Sequence, residues 1–415
     1  MDSQHDTVYD IAIIGGGIAG AGIARDASLR GISVILFEQA TFGSGTSCKT
    51  SKLIHGGIRY LETAWHALKR LQLGEFWKNF RFVFLALRET HILERIAPEL
   101  VRPIPLVIPI YKKGGRNKNA VIFGSMLYGL MANCSGGGRF PKVMWNKEQV
   151  LALVPNLNPN GLVGGVLIWD HTTDDQRLVQ VTAASAVENG AKTLEQARVV
   201  EYGYREDLER YVITIEQNGG EEKYQARKLI NATGPWVDHF RRLTGEHRED
   251  FLAPVAGSHI EVKKFTDYSV ILEAQDGRVF FVINRHEIAR VGTTEWFQND
   301  PEGTKTPQSD VNYLLRALRA HFPEMAFSDT DILSRDTGIR PLARSSKTAS
   351  PSDISREHEI RLGPSGVLHI LGVKLTDHRR ASEEIVDTLI PEIRSWKPEV
   401  KKHTLTRKTK LQKSA

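Results

Sequence analysis

Tyr9-Asp10-Ile11-Ala12-Ile13-Ile14-Gly15-Gly16-Gly17-Ile18-Ala19-Gly20 decides the fold. The first six residues, rich in β-branched side chains, read as a buried strand. The pattern Gly15-x-Gly17-x-x-Gly20 follows at once and opens a segment of small, helix-compatible residues, Ala21-Gly22-Ile23-Ala24-Arg25-Asp26-Ala27. Gly31 ends that helix, Ile32-Ser33-Val34-Ile35-Leu36-Phe37 makes a second strand, and Glu38 stands at its carboxyl end. Gly15 permits a tight turn, Gly17 lets backbone N–H groups approach a pyrophosphate, and Gly20 lets the helix pack closely on the strand. The helix N-terminus supplies partial positive charge. An acid about 20 residues beyond the glycines is placed to bond a ribose hydroxyl. Strand, glycines, helix, strand and acid within about 30 residues predict a dinucleotide site. Glu38, in place of a basic residue, argues against NADP. This unit alone does not separate FAD from NAD.

Two further stretches bear on that choice. Phe42-Gly43-Ser44-Gly45-Thr46-Ser47 carries hydroxyl groups suited to the phosphate and ribitol oxygens of an extended cofactor. Lys228-Leu229-Ile230-Asn231-Ala232-Thr233-Gly234-Pro235-Trp236 reads as a strand entering a sharp turn, like the strand that returns under the cofactor in flavoproteins.

Composition sets the outer bounds. The chain has 415 residues, 41% apolar and 25% charged, which suits a globular protein of two domains or one large one. The net charge is +6, and Lys397, Lys401, Lys402, Arg407, Lys408, Lys410 and Lys413 crowd the last segment. That cluster reads as a solvated, disordered basic tail, with attraction to anionic lipid as the alternative. No nucleic-acid-binding motif accompanies the charge, which argues against a nucleic-acid partner. Two cysteines, Cys48 and Cys134, allow no CxxC, and a reducing compartment fits. No metal cluster and no Ser–His–Asp arrangement is visible. No cleaved signal is expected, and no run approaches the ~18 to 20 apolar residues that span a bilayer.

Ser51-Lys52-Leu53-Ile54-His55-Gly56-Gly57-Ile58-Arg59-Tyr60-Leu61-Glu62 resembles the signature of FAD-dependent (aerobic-type) glycerol-3-phosphate dehydrogenases. Further blocks are similar to that family in order: Asp174 to Leu178, Asn231 to Trp236, Gly257-Ser258-His259-Ile260, Gly292-Thr293-Thr294, Thr337 to Leu342 and Leu371 to Thr376. They run from about Asp10 to about Ile393. Enzymes resembling D-amino-acid oxidase share the first and third cofactor motifs but not the Lys-Leu-Ile-His-Gly-Gly-x-Arg-Tyr string. The chain departs from the family at Val373, where a second glycine is usual, and in an insertion over Thr63 to Asn79. It is also expected to lack the helical C-terminal domain of long members.

The resemblance implies an α/β fold: a Rossmann-like, glutathione-reductase-type FAD domain and an α+β substrate domain on an antiparallel sheet. The FAD domain is expected at 1–62, 161–240 and 350–395, and the substrate domain at 97–160 and 241–349. A helical insertion is expected at 63–96 and the basic tail at 396–415. Val279 to Ile283 and Glu287 to Val291 read as strands of the antiparallel sheet. The last long element, Lys374 to Leu389, would face the flavin with its positive end.

The cofactor positions so implied are Gly15, Gly17, Ile18, Ala19, Gly20, Glu38, Gln39, Thr46, Ser47, Ser51, Lys52, Leu53, His55, Gly56, Gly57, Ala232, Thr233, Gly234, Gly372, Lys374, Leu375 and Thr376. A flavin takes the hydride at N5, and the protein supplies orientation and charge. A phosphate substrate needs fixed cations, for which the guanidinium fork is suited. Arg59 with Tyr60, Arg340, Arg356 and Lys374 are the substrate candidates, with Arg340 also counted as catalytic. His259 is the candidate base and His55 its rival. The expected reaction is oxidation of sn-glycerol 3-phosphate to dihydroxyacetone phosphate, with electrons passing to a quinone or to dioxygen. A D-amino-acid-oxidase-like oxidase of an amine or 2-hydroxy acid is the competing reading. The choice between monomer and homodimer stays open.

Aromatics mixed with Lys and Arg over Trp65 to Leu85, and the apolar run Met126 to Met131, suit either helices packed on the core or helices lying in a headgroup plane. The resemblance implies a cytoplasmic enzyme, peripheral on the cytoplasmic face of the inner membrane.

Overall fold

The computed structural model describes residues 7–411, apart from 59, 62–63, 66–69, 113–116, 244, 247–248, 299, 303 and 345–356. Two of the candidates, Arg59 and Arg356, therefore lie outside the described residues.

Val8–Ile14, fully buried over its last five residues, is the central strand of an eight-stranded sheet. It pairs in parallel with Val34–Phe37 on one side and with Gly220–Asn231 on the other. Leu368–Leu371 continues the parallel order beyond Asn231. The helix Ile18–Leu29 buries eleven of its twelve residues. It packs against the helix Asp175–Glu188 and the C-terminal helix His378–Trp396, so one face of this sheet is covered. Continuous apolar strands and a helical cover are what a parallel sheet requires.

A ten-stranded sheet forms the second layer. Its long members are Arg102–Tyr111, Leu162–Thr172, Val255–Lys263 and Ile332–Arg340, and most pairings are antiparallel. Val279–Arg285 and Ile288–Gly292 form the expected antiparallel pair. On strand pairing, Leu162–Thr172 belongs to this second sheet, although the sequence grouped 161–240 with the nucleotide unit. After that strand, Asp174 caps the helix Asp175–Glu188 by accepting from the Arg177 N–H.

Two helices, Leu73–Ile96 and Lys118–Cys134, form a third layer outside the sheets. None of the first ten residues of Leu73–Ile96 is fully buried; Phe80 and Phe82 pack partly on the cluster around Leu61 and Tyr128, and Leu73 and Trp77 face solvent. Phe123, Met126 and Leu130 are exposed on the second helix. Among the described residues, no helix is long and apolar enough to cross a membrane.

The basic C-terminal segment differs from its sequence reading as a solvated tail. Through Leu411 it is bonded to the body, because buried carboxylates and carbonyls there need its donors. Lys397 pairs with Asp10 at 2.9 Å, Arg407 with Glu383 at 2.8 Å, and Thr404 donates to Asp26. Arg25 donates to the Thr409 carbonyl at 2.6 Å, and the Leu411 N–H to Ile96 at 2.8 Å. The last helix likewise starts at His378, four residues later than read, because Lys374 to Asp377 form a turn.

Candidate active site

At the carboxyl ends of the parallel strands lies a cleft of about 850 Å³. That is a volume typical of cofactor sites. Its shape comes from glycine. A Cβ on Gly20 would stand 1.9 Å from the Gly15 carbonyl, and one on Gly15 would stand 2.6 Å from the Ala232 carbonyl. The helix and two strand ends therefore meet at a separation that side chains forbid, leaving the Ile18 N–H at the helix start. Ser47 Oγ accepts from that N–H at 3.1 Å. Glu38 accepts from the Gly16 and Ala40 N–H groups at 2.7 and 2.8 Å, while burial raises its pKa. Asn231 is fully buried and holds the Ala232-Thr233-Gly234 turn by accepting from Thr233.

Gly15, Gly17, Ile18, Ala19, Glu38, Gln39, Thr46, Ser47, Ala232, Thr233, Gly234, Gly372 and Leu375 all line this cleft. So do Lys49, Thr50 and Ile339, which sequence reading missed. An acid at one end, amides and hydroxyls in the middle and the Gly372 turn at the other suit an extended dinucleotide with a ring system. The residues present fit FAD.

Ser51, Lys52, Leu53, His55, Gly56, Gly57, Lys374 and Thr376 lie beside the cleft, outside its lining. Lys52 directs its ammonium to Asp175 and to the Cys48 carbonyl, so here it fastens the loop. Thr50 also donates to Asp175 at 2.7 Å. Leu53 is buried in a strand paired with Thr172. The His55 N–H donates to Thr376 Oγ1 at 3.2 Å, which ties the His55-Gly56-Gly57 loop to the cleft-lining turn.

The second sheet supplies the polar face next to this cleft. Arg340 ends the strand Ile332–Arg340, between the lining residues Ile339 and Pro341. Its guanidinium lies 3.3 Å from Thr293 Oγ1 and 3.4 Å from Glu295. A Cβ on Gly257 would meet Thr293 at 2.5 Å and Arg340 at 3.1 Å, so glycine makes room there. Lys374 stands between the lining residues Val373 and Leu375. Its ammonium lies 4.0 Å from the Phe82 ring centre and 5.4 Å from that of Tyr60.

His259 is buried on the neighbouring strand, opposite Gly292 and Asp336 in register. Its Nε2 is 2.9 Å from Ser51 Oγ, and its Nδ1 is 3.7 Å from Asp336. Burial lowers its pKa to about 4, against the opposing pull of Asp336, so the ring is neutral at pH 7. Burial pushes Asp336 up, but the His259 ring and Arg290 outweigh it and hold the carboxyl well below its usual range. Arg290 fixes this row, bonding Asp336 at 2.7 Å, Glu261 at 3.0 Å and the Thr50 carbonyl at 2.9 Å. Ser51, His259 and Asp336 lie in a row, with the His259 Nδ1–Asp336 separation of 3.7 Å longer than a hydrogen bond. Residues 208 positions apart meet only through the fold. Among the described residues no group of side chains suits a metal ion.

The profile of the FAD dependent oxidoreductase family matches residues 10–378. The aerobic glycerol-3-phosphate dehydrogenase of Staphylococcus saprophyticus is 36% identical over 397 residues, covering 94% of this chain and 68% of its own. That of Staphylococcus epidermidis is 37% identical over 394 residues, covering 93% and 67%. The Bacillus halodurans glycerol-3-phosphate dehydrogenase, solved with FAD, superposes with a TM-score of 0.75 at 26% identity, covering 98% of this chain and 68% of that one. Glycine oxidase from Geobacillus kaustophilus shares the fold, with a TM-score of 0.61 at 17% identity over 98% of this chain and 99% of that one. The cofactor is FAD, and the chain belongs to the FAD-dependent oxidoreductases, among the aerobic glycerol-3-phosphate dehydrogenases.

Proposed function

We propose that the protein oxidises sn-glycerol 3-phosphate to dihydroxyacetone phosphate and passes the electrons to a quinone, with dioxygen as the alternative acceptor. The observation that carries this reading is the position of two cations at the cleft edge. Arg340 and Lys374 each sit between two cleft-lining residues, on opposite layers of the molecule. A phosphate-bearing alcohol needs such fixed charges, and the guanidinium fork pairs with two phosphate oxygens. Tyr60 packs on Gly57 and faces Lys374, which suits a substrate-contacting role beside it. Arg59 and Arg356 complete the cation set proposed from the family pattern.

FAD, when bound, supplies the hydride acceptor at its N5 atom. His259 accepts the substrate hydroxyl proton. Burial disfavours its charged form, and Asp336, pinned by Arg290, opposes that burial and is placed to steady the ring once it takes the proton. Ser51 holds the other ring nitrogen and offers a hydroxyl through which the proton can pass. Anaerobic bleaching of the flavin absorbance by glycerol 3-phosphate tests this reading. Bleaching by amino acids or 2-hydroxy acids instead would favour the competing oxidase. Reoxidation by a quinone analogue against air separates the two acceptors.

Peripheral contact with a cytoplasmic membrane face is part of the same proposal. The exposed Leu73, Trp77, Phe123 and Leu130 side chains, with Lys78 and Arg81 alongside, suit the headgroup plane of anionic lipid. Sedimentation with anionic vesicles, but not with neutral ones, is expected. No sedimentation with either removes the membrane from the proposal.

A further inference from the structure

Where the two outer helices meet the flavin-side loop, the molecule buries a polar pair that the chemistry above does not use. Tyr128 and Asp170 are 1% and 4% exposed. The Tyr128 hydroxyl donates to Asp170 Oδ1 at 2.7 Å and accepts from the Gly56 N–H at 2.9 Å. The phenol sits among apolar neighbours that include Leu61, Val83, Leu87 and Met131. A carboxyl in such surroundings costs desolvation, so apolar residues of similar shape would pack there more cheaply. Burial raises its pKa to about 7, even though the hydrogen bonds from Tyr128 and Gly56 lower it.

The pair meets the loop at the point where it leaves the sheet. Leu53 pairs with Thr172 and Ile54 with His171, and the ladder stops there, one step before Asp170. Gly56 admits no side chain, since a Cβ would stand 2.6 Å from Leu87 and 2.7 Å from the Tyr128 hydroxyl. The phenol therefore bonds the backbone of a residue whose own form depends on it. At the same end the loop is tied by the His55 N–H to Thr376, next to the cleft-lining Leu375.

We propose that Tyr128 and Asp170 are positioning residues: they set the His55-Gly56-Gly57 backbone beside the flavin, and the proton on the Asp170 carboxyl decides whether they hold it. This rests on the reading above, in which that loop borders the ring and carries Tyr60 toward the substrate. An ionised Asp170 accepts only, so the phenol proton must point to it and the phenol lone pairs are left for the Gly56 N–H. A protonated Asp170 carries its own donor and competes for those lone pairs. The groups facing Asp170 are the Tyr128 hydroxyl from helix Lys118–Cys134 and the Gly56 amide from the loop. Helix Leu73–Ile96 presents apolar Val83 and Leu87 to the phenol. The neighbouring His171 bonds Glu94 at 3.0 Å and contacts His91.

The test is kcat and KM for glycerol 3-phosphate from pH 5.5 to 9, measured on the FAD-loaded full chain. Wild-type kcat should rise through about pH 7 to a plateau, as the carboxyl ionises. Asp170→Asn should remove that rise and lower the plateau about tenfold, with KM nearly unchanged and flavin content retained. Tyr128→Phe should show the same loss of kcat. A wild-type kcat that is flat between pH 6 and 8 overturns the proposal without any variant having to fold. So does an Asp170→Asn enzyme that keeps the wild-type inflection and plateau. A wild-type flavin that glycerol 3-phosphate never bleaches would instead sink the underlying reading, which is a different result.

Discussion

The nucleotide cleft and the substrate face beside it are built by opposite means. The cleft is made by leaving atoms out: Gly15 and Gly20 bring backbone to within distances that no side chain tolerates. The substrate face is made by holding charged and polar side chains in place. Arg290 fixes Asp336, Asp336 faces His259, His259 meets Ser51, and two aromatic rings flank Lys374. A steric site should fail all at once when filled. A site of many weak partners should lose function in graded steps.

The sharpest division is expected at Gly20. Gly20→Val places atoms against the Gly15 carbonyl, and purified protein should be colourless or insoluble. A yellow, stoichiometrically flavinylated variant would break the steric account. Arg340→Ala should fold and keep its flavin but lose about 100-fold in kcat/KM for glycerol 3-phosphate, the scale of a lost charge-assisted contact. Arg340→Lys should recover only part, since an ammonium lacks the planar fork. Unchanged kinetics would remove Arg340 from the substrate. The smallest step should come at Phe82, whose ring lies under the Lys374 ammonium. Phe82→Ala should raise KM about fivefold, and Phe82→Tyr should restore it. A change in kcat alone would assign the ring a different task.

The same contrast explains what could be read from the chain. The glycine unit is local: its turn, helix and acid fall within one βαβ stretch, and each residue has one steric or dipolar reason to be there. The polar face is assembled by register between strands far apart in sequence. His259 lies opposite Asp336 on one side and Gly292 on the other, and nothing within the Gly-Ser-His-Ile motif tells which neighbour it will meet. Tyr128 falls in an apolar run that the sequence leaves open between core packing and a headgroup plane, because its buried partner lies 42 residues away. Lys52 sits inside a cofactor-like motif, yet its ammonium answers a carboxylate on the helix Asp175–Glu188. The basic C-terminus was misread for a related reason. Charge composition alone cannot separate a solvated lysine from one whose partner is buried elsewhere in the chain.

Arg30 is fully buried, and it bonds Asp26 at 2.7 Å, Asp387 at 2.6 Å and the Lys402 carbonyl at 3.0 Å. The helix that opens the nucleotide unit thus has an ionic contact closed by residues 357 and 372 positions further along the chain. Until those residues emerge from the ribosome, the guanidinium has only Asp26 as an acceptor, and the strand before the helix awaits Gly220–Asn231. The first sixty residues announce the cofactor site, but a fragment cut to them is expected not to bind nucleotide, since the strand and Arg30 lose their distant partners. Their assembly is a late event in biosynthesis, and nascent chains stalled before residue 387 should still be open to protease at Ile18–Leu29.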